Sequence, residues 1–236
     1  MTCCSTRIEQ GTFESLADHW QHLLEGCSEP TFFDQLTWQK TWWSEFGGNS
    51  ELKLIVVRSD SDEINMIAPM MIDGTEISFL GSTDLVDYHD FLIRDRLSPS
   101  CIQALVGAVD DMPEIDTILL QSIAGNSPTI TQFREAAEQA GWTVEIEQED
   151  VAPRIDLPAT WDEYVSGLRK KDRHELRRKL RRLEAAGDVQ QIELSTPEEI
   201  EAAMSEFMRL HRMSTPDKSE FMTTEREQFF SKIAVE

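Results

Sequence analysis

The chain has 236 residues and a formal net charge of −22, from 22 Lys and Arg against 44 Asp and Glu. A 40% hydrophobic share with 11 Phe and 6 Trp supplies a packed core, at a length that suits one large domain or two small ones. No run of 18 apolar residues occurs, so no membrane span is expected, and the acidity argues against general nucleic-acid binding.

The segment Met1–Arg7 lacks an apolar signal core. Cys3, Cys4, Cys27 and Cys101 show no Cys-x-x-Cys and no metal spacing, and reduced thiols in a cytoplasmic protein are the simplest reading. Leu16, Ala17, Trp20, Leu23 and Leu24 have helical spacing and predict a helix over residues 15–24. Asp34 suits the N-cap of a second helix, 36–46, which ends at Gly47-Gly48. Three strands follow, at 52–57, 64–71 and 75–80. Asp60-Ser61-Asp62 and Asp73-Gly74 supply turn chemistry between them, so an antiparallel meander is expected.

Asp87-Tyr88-His89-Asp90 reads as a loop running into a short strand that ends at Ile93. A helix over 98–109, a buried strand over 117–120 and a helix over 127–140 stopping at Gly141 come next. The alternation of Trp142–Glu149 predicts another strand. Thr160 caps a helical basic segment that reaches Ala186 and closes at Gly187. Val189–Leu194 reads as a strand. Thr196-Pro197-Glu198-Glu199 gives an N-cap, a proline at the first helical position and an acidic first turn, opening a helix to about Met213. A loop with Pro216 leads to a last helix from Glu225, which ends at Ala234-Val235-Glu236 without a C-cap. The chain therefore reads as a truncated piece of a longer protein.

Charge divides the sequence unevenly. Residues 1–150 hold 7 Lys/Arg against 27 Asp/Glu, and residues 151–236 hold 15 against 17. Nine of the 22 cations fall within residues 169–182. On a helical wheel Leu176, Leu180 and Leu183 make a thin apolar stripe. Arg173, Arg177 and Arg181 form one i, i+4 row, and Lys171, Arg178 and Arg182 another. Such a run is commonly a solvated face, or pairs with acidic surface. The functional reading is an anion site, because the planar guanidinium fork suits phosphate and carboxylate.

Other polar candidates are sparser. Tyr88 or His89 could do acid–base work, with Asp87 beside them; the plainer alternative is a tight loop whose aspartates bond backbone. His211, next to Arg212, is either a substrate contact or a structural histidine. His19 and His22 lack a third ligand, so no metal is expected.

The run Trp161-Asp162-Glu163-Tyr164, then Leu168-Arg169-Lys170-Lys171-Asp172-Arg173-His174-Glu175-Leu176-Arg177-Arg178-Lys179-Leu180-Arg181-Arg182-Leu183-Glu184, resembles the CelD-like acyltransferases of the GNAT superfamily, which are related to FemAB. Thr31-Phe32-Phe33 with Trp38 and Trp42-Trp43, Ile67-Ala68-Pro69-Met70, Phe79-Leu80-Gly81 with Asp87-Tyr88, and Leu210-His211 with Phe221 are similar to other segments of that family. The resemblance implies an α+β fold of two tandem GNAT-like halves, each a twisted, mostly antiparallel sheet flanked by helices. Residues 1–157 would be the first half, and 158–236 the beginning of an incomplete second, acyl-CoA-binding half.

The implied activity is acyl transfer, N-acetyl transfer included, from acetyl-CoA or another acyl-CoA to an amine or hydroxyl of a small or saccharide-linked acceptor, as in exopolysaccharide biosynthesis. Arg173, Arg177, Arg181 and Asp87 would bind substrate. A Fem-like variant would use aminoacyl-tRNA, with the same arginines on its backbone. The donor-site pattern, a strand followed by Arg/Gln-x-x-Gly-x-Gly/Ala, is absent from the sequence and is expected beyond residue 236. The reading from another class is a non-catalytic interaction module whose basic helix docks on an acidic partner or polyanion.

Overall fold

The computed structural model describes residues 7–27, 30–82, 84–94 and 99–236. Two compact units emerge from the contacts: residues up to Ile146 together with Thr196–Glu236, and Glu147–Ser195. Residues 196–236 fall in the same unit as the sheet.

That unit is α+β. In chain order it contains β1 (Arg7–Gly11), α1 (Phe13–Gly26), a 3-10 turn (Phe32–Asp34), α2 (Leu36–Phe46), β2 (Glu51–Arg58), β3 (Ile64–Asp73), β4 (Glu76–Phe79), β5 (Leu92–Ile93), α3 (Pro99–Asp110), β6 (Thr117–Leu119) and α4 (Thr129–Gln139). The other unit holds α5 (Trp161–Gly167) and α6 (Lys170–Ala186). The chain then returns to the first with α7 (Pro197–Ser214), α8 (Pro216–Phe221) and α9 (Thr224–Ile233).

The sheet runs β1-β2-β3-β4-β6, and β5 also pairs with β3. The expected meander β2-β3-β4 is antiparallel throughout. The exception to antiparallel pairing is β4 with β6, from Glu76 opposite Thr117 to Ser78 opposite Leu119. On β3, β4 pairs with Met70–Asp73, and β5 pairs with Met66 and Ile67.

The central strands are apolar on both faces. Ile55 and Val57 join one core with Met66, Ala68 and Met70, under α3 and α4. Leu54 and Val56 join the other with Ile67, under α1 and α2. This is the period of two expected of a strand covered on both sides. A bulge between Val57 and Arg58 adds one residue to β3, which turns Ile64 to the same side as Ile67. On the second face Phe229 of α9 is fully buried. It packs edge-on against Trp38 at 5.0 Å and against Phe46 at 5.4 Å. Lys232–Glu45 and Arg226–Asp84 ion pairs hold the same helix.

Several local expectations fail for identifiable reasons. Residues 142–149 and 189–194 form no strand, although both have strand-like composition. Alternation gives a preference, whereas a strand needs a neighbour for its backbone hydrogen bonds. β1 is the converse: Arg-Ile-Glu-Gln-Gly has little strand character, but the edge of β2 supplies its partners. The strand at 117–119 is an edge strand, half exposed rather than buried. Asp34 does not cap α2; its carboxylate accepts from the Thr31 amide and closes the 3-10 turn, and Gln35 occupies the N-cap. The region around Pro216 is the short helix α8, capped by Thr215, rather than a loop. The basic helix is interrupted at Leu168-Arg169, so α5 and α6 are separate. Ser98, the expected start of α3, and Cys3 and Cys4 lie outside the described residues; Cys27 is half-buried and Cys101 buried.

Candidate functional site

Thr160 caps α5 through a capping box with Glu163, which fixes the entry to the basic segment. Arg169 then caps α6 without a side-chain bond. No residue of α6 is buried, and its apolar stripe is open: Leu180 is 39% and Leu183 54% exposed. Part of the helix is ion-paired. Arg178 forks onto Glu175 through Nε at 3.0 Å and Nη2 at 2.6 Å, and Lys179 approaches the same carboxylate. That pairing holds the Glu175 carboxyl below its ordinary value, the Arg178 hydrogen bond being the larger cause. Arg169 is tied to Asp172.

In the other row, Arg173 donates from Nη1 to the Ser166 carbonyl at 2.9 Å. Arg177 and Arg181 are exposed, and none of the three makes an ion pair among the described residues. At 1.5 Å rise per residue, i, i+4 neighbours stand roughly 6 Å apart along a helix. Three forks at that spacing can hold one extended polyanion or several separate oxygens.

The loop after β4 places the remaining candidates in the sheet-bearing unit. Asp87 is exposed and Tyr88 half-buried. Asp90 is a structural group. It accepts from the Ser127 and Thr129 hydroxyls and from the Phe91 amide, tying the loop to the start of α4. Replacing Asp90 by alanine is expected to cost about 2–3 kcal/mol, because three donors lose a charged acceptor and Thr129 is fully buried. A thermal melt checks this, and a change below about 0.5 kcal/mol would remove the structural role.

His89 is 6% exposed and stacks on Phe79 at 5.3 Å, 10° from parallel. Its amide donates to the Ser122 carbonyl, in a bridge that aligns His89 parallel with Ile123. In the ring, Nδ1 lies 3.3 Å from the Gln121 carbonyl. The Gln121 and Leu80 carbonyls both bear on the ring and only accept, so the tautomer follows from which of them the ring donates to. Nε2 is buried with no hydrogen-bond partner. Burial pushes the ring down from 6.5 to about 4, against the Gln121 and Leu80 carbonyls, which favour protonation. The imidazole is therefore neutral near pH 7. A pocket of about 230 Å³ opens here, with Glu76, Ser78, Gly81 and Gln121 in its wall beside His89.

His211 is elsewhere, on α7 between Phe207 at 6.0 Å and Phe221 at 5.9 Å, with Nδ1 buried and unpaired. These ring contacts fit a packed structural histidine. The candidates thus fall into separate groups: Arg173, Arg177 and Arg181 in one unit, and Asp87, Tyr88, His89 and His211 in the other. A second concavity of about 870 Å³ lies between α7 and α9, where Met204 and Met208 form its floor and Arg212 pairs with Glu227. Neither concavity was visible in the sequence. Gly81, at φ +140°, was the available signal for the first.

Among the described residues no group of three or more His, Cys, Asp or Glu side chains is placed to hold a metal ion. No described helix is long and apolar enough to cross a membrane. Comparison with protein-family models, with curated proteins and with solved structures finds no match to this chain.

Proposed function

We propose that the chain belongs to an acyltransferase of GNAT-like type, in which α6 holds the anionic group of the donor or acceptor. The reaction would move an acyl group from acyl-CoA to an amine or hydroxyl. The observation that carries this reading is the row Arg173–Arg177–Arg181 on one face of α6, none of which makes an ion pair among the described residues. The sequence resemblance supplies the reaction class, and the mostly antiparallel sheet flanked by helices is compatible with it. Positioning of two substrates and removal of one proton suffice for such a transfer, with no covalent intermediate.

The arginine row can be tested by titrating inorganic pyrophosphate into the chain and into Arg173→Ala/Arg177→Ala/Arg181→Ala. Each arginine that contacts the anion is expected to contribute about tenfold in affinity, and the wild-type affinity should fall steeply with salt. Equal binding by both proteins would remove α6 from the proposal. The exposed Leu180 and Leu183 favour a second reading, a docking module for an acidic partner. In that case Leu180→Ser/Leu183→Ser would weaken binding to an acidic peptide as much as the arginine changes do, and acyl transfer would be absent.

A further inference from the structure

We propose that two copies of this chain associate, α6 of one copy lying along an open apolar seam on α7 of the other. The proposal goes beyond acyl transfer and holds or fails separately from it.

Each copy carries two helix faces that the described residues leave open. On α6 the face is the seam Leu176–Leu180–Leu183, with Leu180 39% and Leu183 54% exposed. On α7 a second seam runs Ala203–Phe207–Leu210. The buried residue of α7 is Met208, on another side of the helix, while Phe207 is 47% and Leu210 53% exposed. Both seams step by four residues and then by three, and each covers about two turns, roughly 10 Å of helix axis. This is the spacing at which two helices interlock side chains along one line of contact.

Charge then selects which seam meets which. The α6 helix carries eight Lys and Arg against three Asp and Glu, and Arg173 and Arg177 flank its leucines. Residues 197–208 of α7 carry Glu198, Glu199, Glu201 and Glu206 with no Lys or Arg. Glu199 and Glu206 flank the α7 seam, and Arg209 in the following turn pairs with Glu206. Setting α6 on α6 brings cations together, and setting α7 on α7 brings glutamates together. The mixed contact joins opposite charges around matched apolar seams. Both halves of that match lie on the same chain, so the occupant is a second copy. Two short seams make a small interface, and the expected affinity is weak, roughly micromolar.

Sedimentation velocity of the full chain tests this. The −22 chain repels itself at long range, so the measurement is made at about 0.1 M salt, where screening leaves contacts within about 10 Å to decide. The average mass is expected to rise between roughly 1 and 200 μM. Leu180→Gln/Leu183→Gln and Phe207→Gln/Leu210→Gln alter exposed side chains and keep a good helix former, so helix content and melting should stay as in the wild type. Each pair is expected to weaken association by about tenfold or more. Mixed together, the two variants should associate again, because the first keeps its α7 seam and the second its α6 seam. Pyrophosphate titration reads the arginine row independently, in the leucine variant as in the wild type. A wild type that stays monomeric over this range would overturn the proposal, including one whose α6 instead binds phosphatidylserine vesicles. So would either variant associating as the wild type does, or a mixture of the two that stays monomeric.

Discussion

Replacing Phe229 with alanine is expected to lower folding stability by about 3–5 kcal/mol, the range for fully buried aromatic truncations. Phe229 has no exposed surface and contacts Trp38, Phe46 and Phe230, so its loss leaves a cavity bounded by large rigid rings. The Lys232–Glu45 and Arg226–Asp84 pairs are partly solvent-exposed and offset little of that. Urea unfolding measures the effect, and Phe229→Leu should cost much less because it keeps most of the volume. Amide exchange adds a local readout: protection in α9 should fall more than in β3. A loss under about 1 kcal/mol would mean that α9 does not complete the second core.

The second large effect is a pH dependence carried by His89. Its folded value is depressed from 6.5 to about 4, chiefly by burial. The unfolded chain therefore binds a proton before the folded one does. Stability from this group is fully present above about pH 6.5 and declines as the pH falls toward about 4. Over that window the loss amounts to roughly 3 kcal/mol, at 1.36 kcal/mol per unit. Carboxylates titrate in the lower part of the same range, so the measurement is a difference between the wild type and His89→Phe. The wild type should lose roughly 3 kcal/mol more than the variant between about pH 7 and pH 4. Parallel curves would show that His89 is hydrated and titrates normally.

Helices were legible in the sequence wherever a cap and a period agreed. Thr160 with Glu163 and Thr196 with Glu199 form the capping boxes that their spacing announces. The meander was legible because β2 and β3 are apolar runs and Asp73-Gly74 turns the chain, with Gly74 at φ +62°. What failed depends on partners distant in sequence. Arg7–Gly11 becomes a strand because it pairs with β2, and Trp142–Glu149 pairs with no strand. Even the position of α9 was unreadable: Phe229 and Phe230 marked an apolar stripe, but nothing local names Trp38 as the surface it meets.

The candidate sites follow the same rule. The arginine row of α6 was legible because a helix places i, i+4 residues on one face. The Glu175–Arg178 pairing that distinguishes the two rows is likewise local. The His89 pocket was not, although His89 itself was singled out. Its walls come from β3, β4, the loop from Gly81 to His89 and the residues at and after the end of β6, which the pairing of β4 with β3 and β6 and the His89–Ile123 bridge bring together. A one-residue register and a glycine without a Cβ decide whether Nε2 is enclosed.

Acyl transfer itself is the most direct measurement of the central claim. Release of free thiol from acetyl-CoA would be followed with a panel of amine and hydroxyl acceptors, and the acetylated acceptor confirmed by mass. The account predicts acceptor-dependent thiol release by a protein that joins this chain to the donor-site pattern the resemblance implies, with Arg173→Ala/Arg177→Ala/Arg181→Ala raising KM for the anionic substrate by tenfold or more. Thiol release no faster than without protein, for every acceptor and for both proteins, would contradict it.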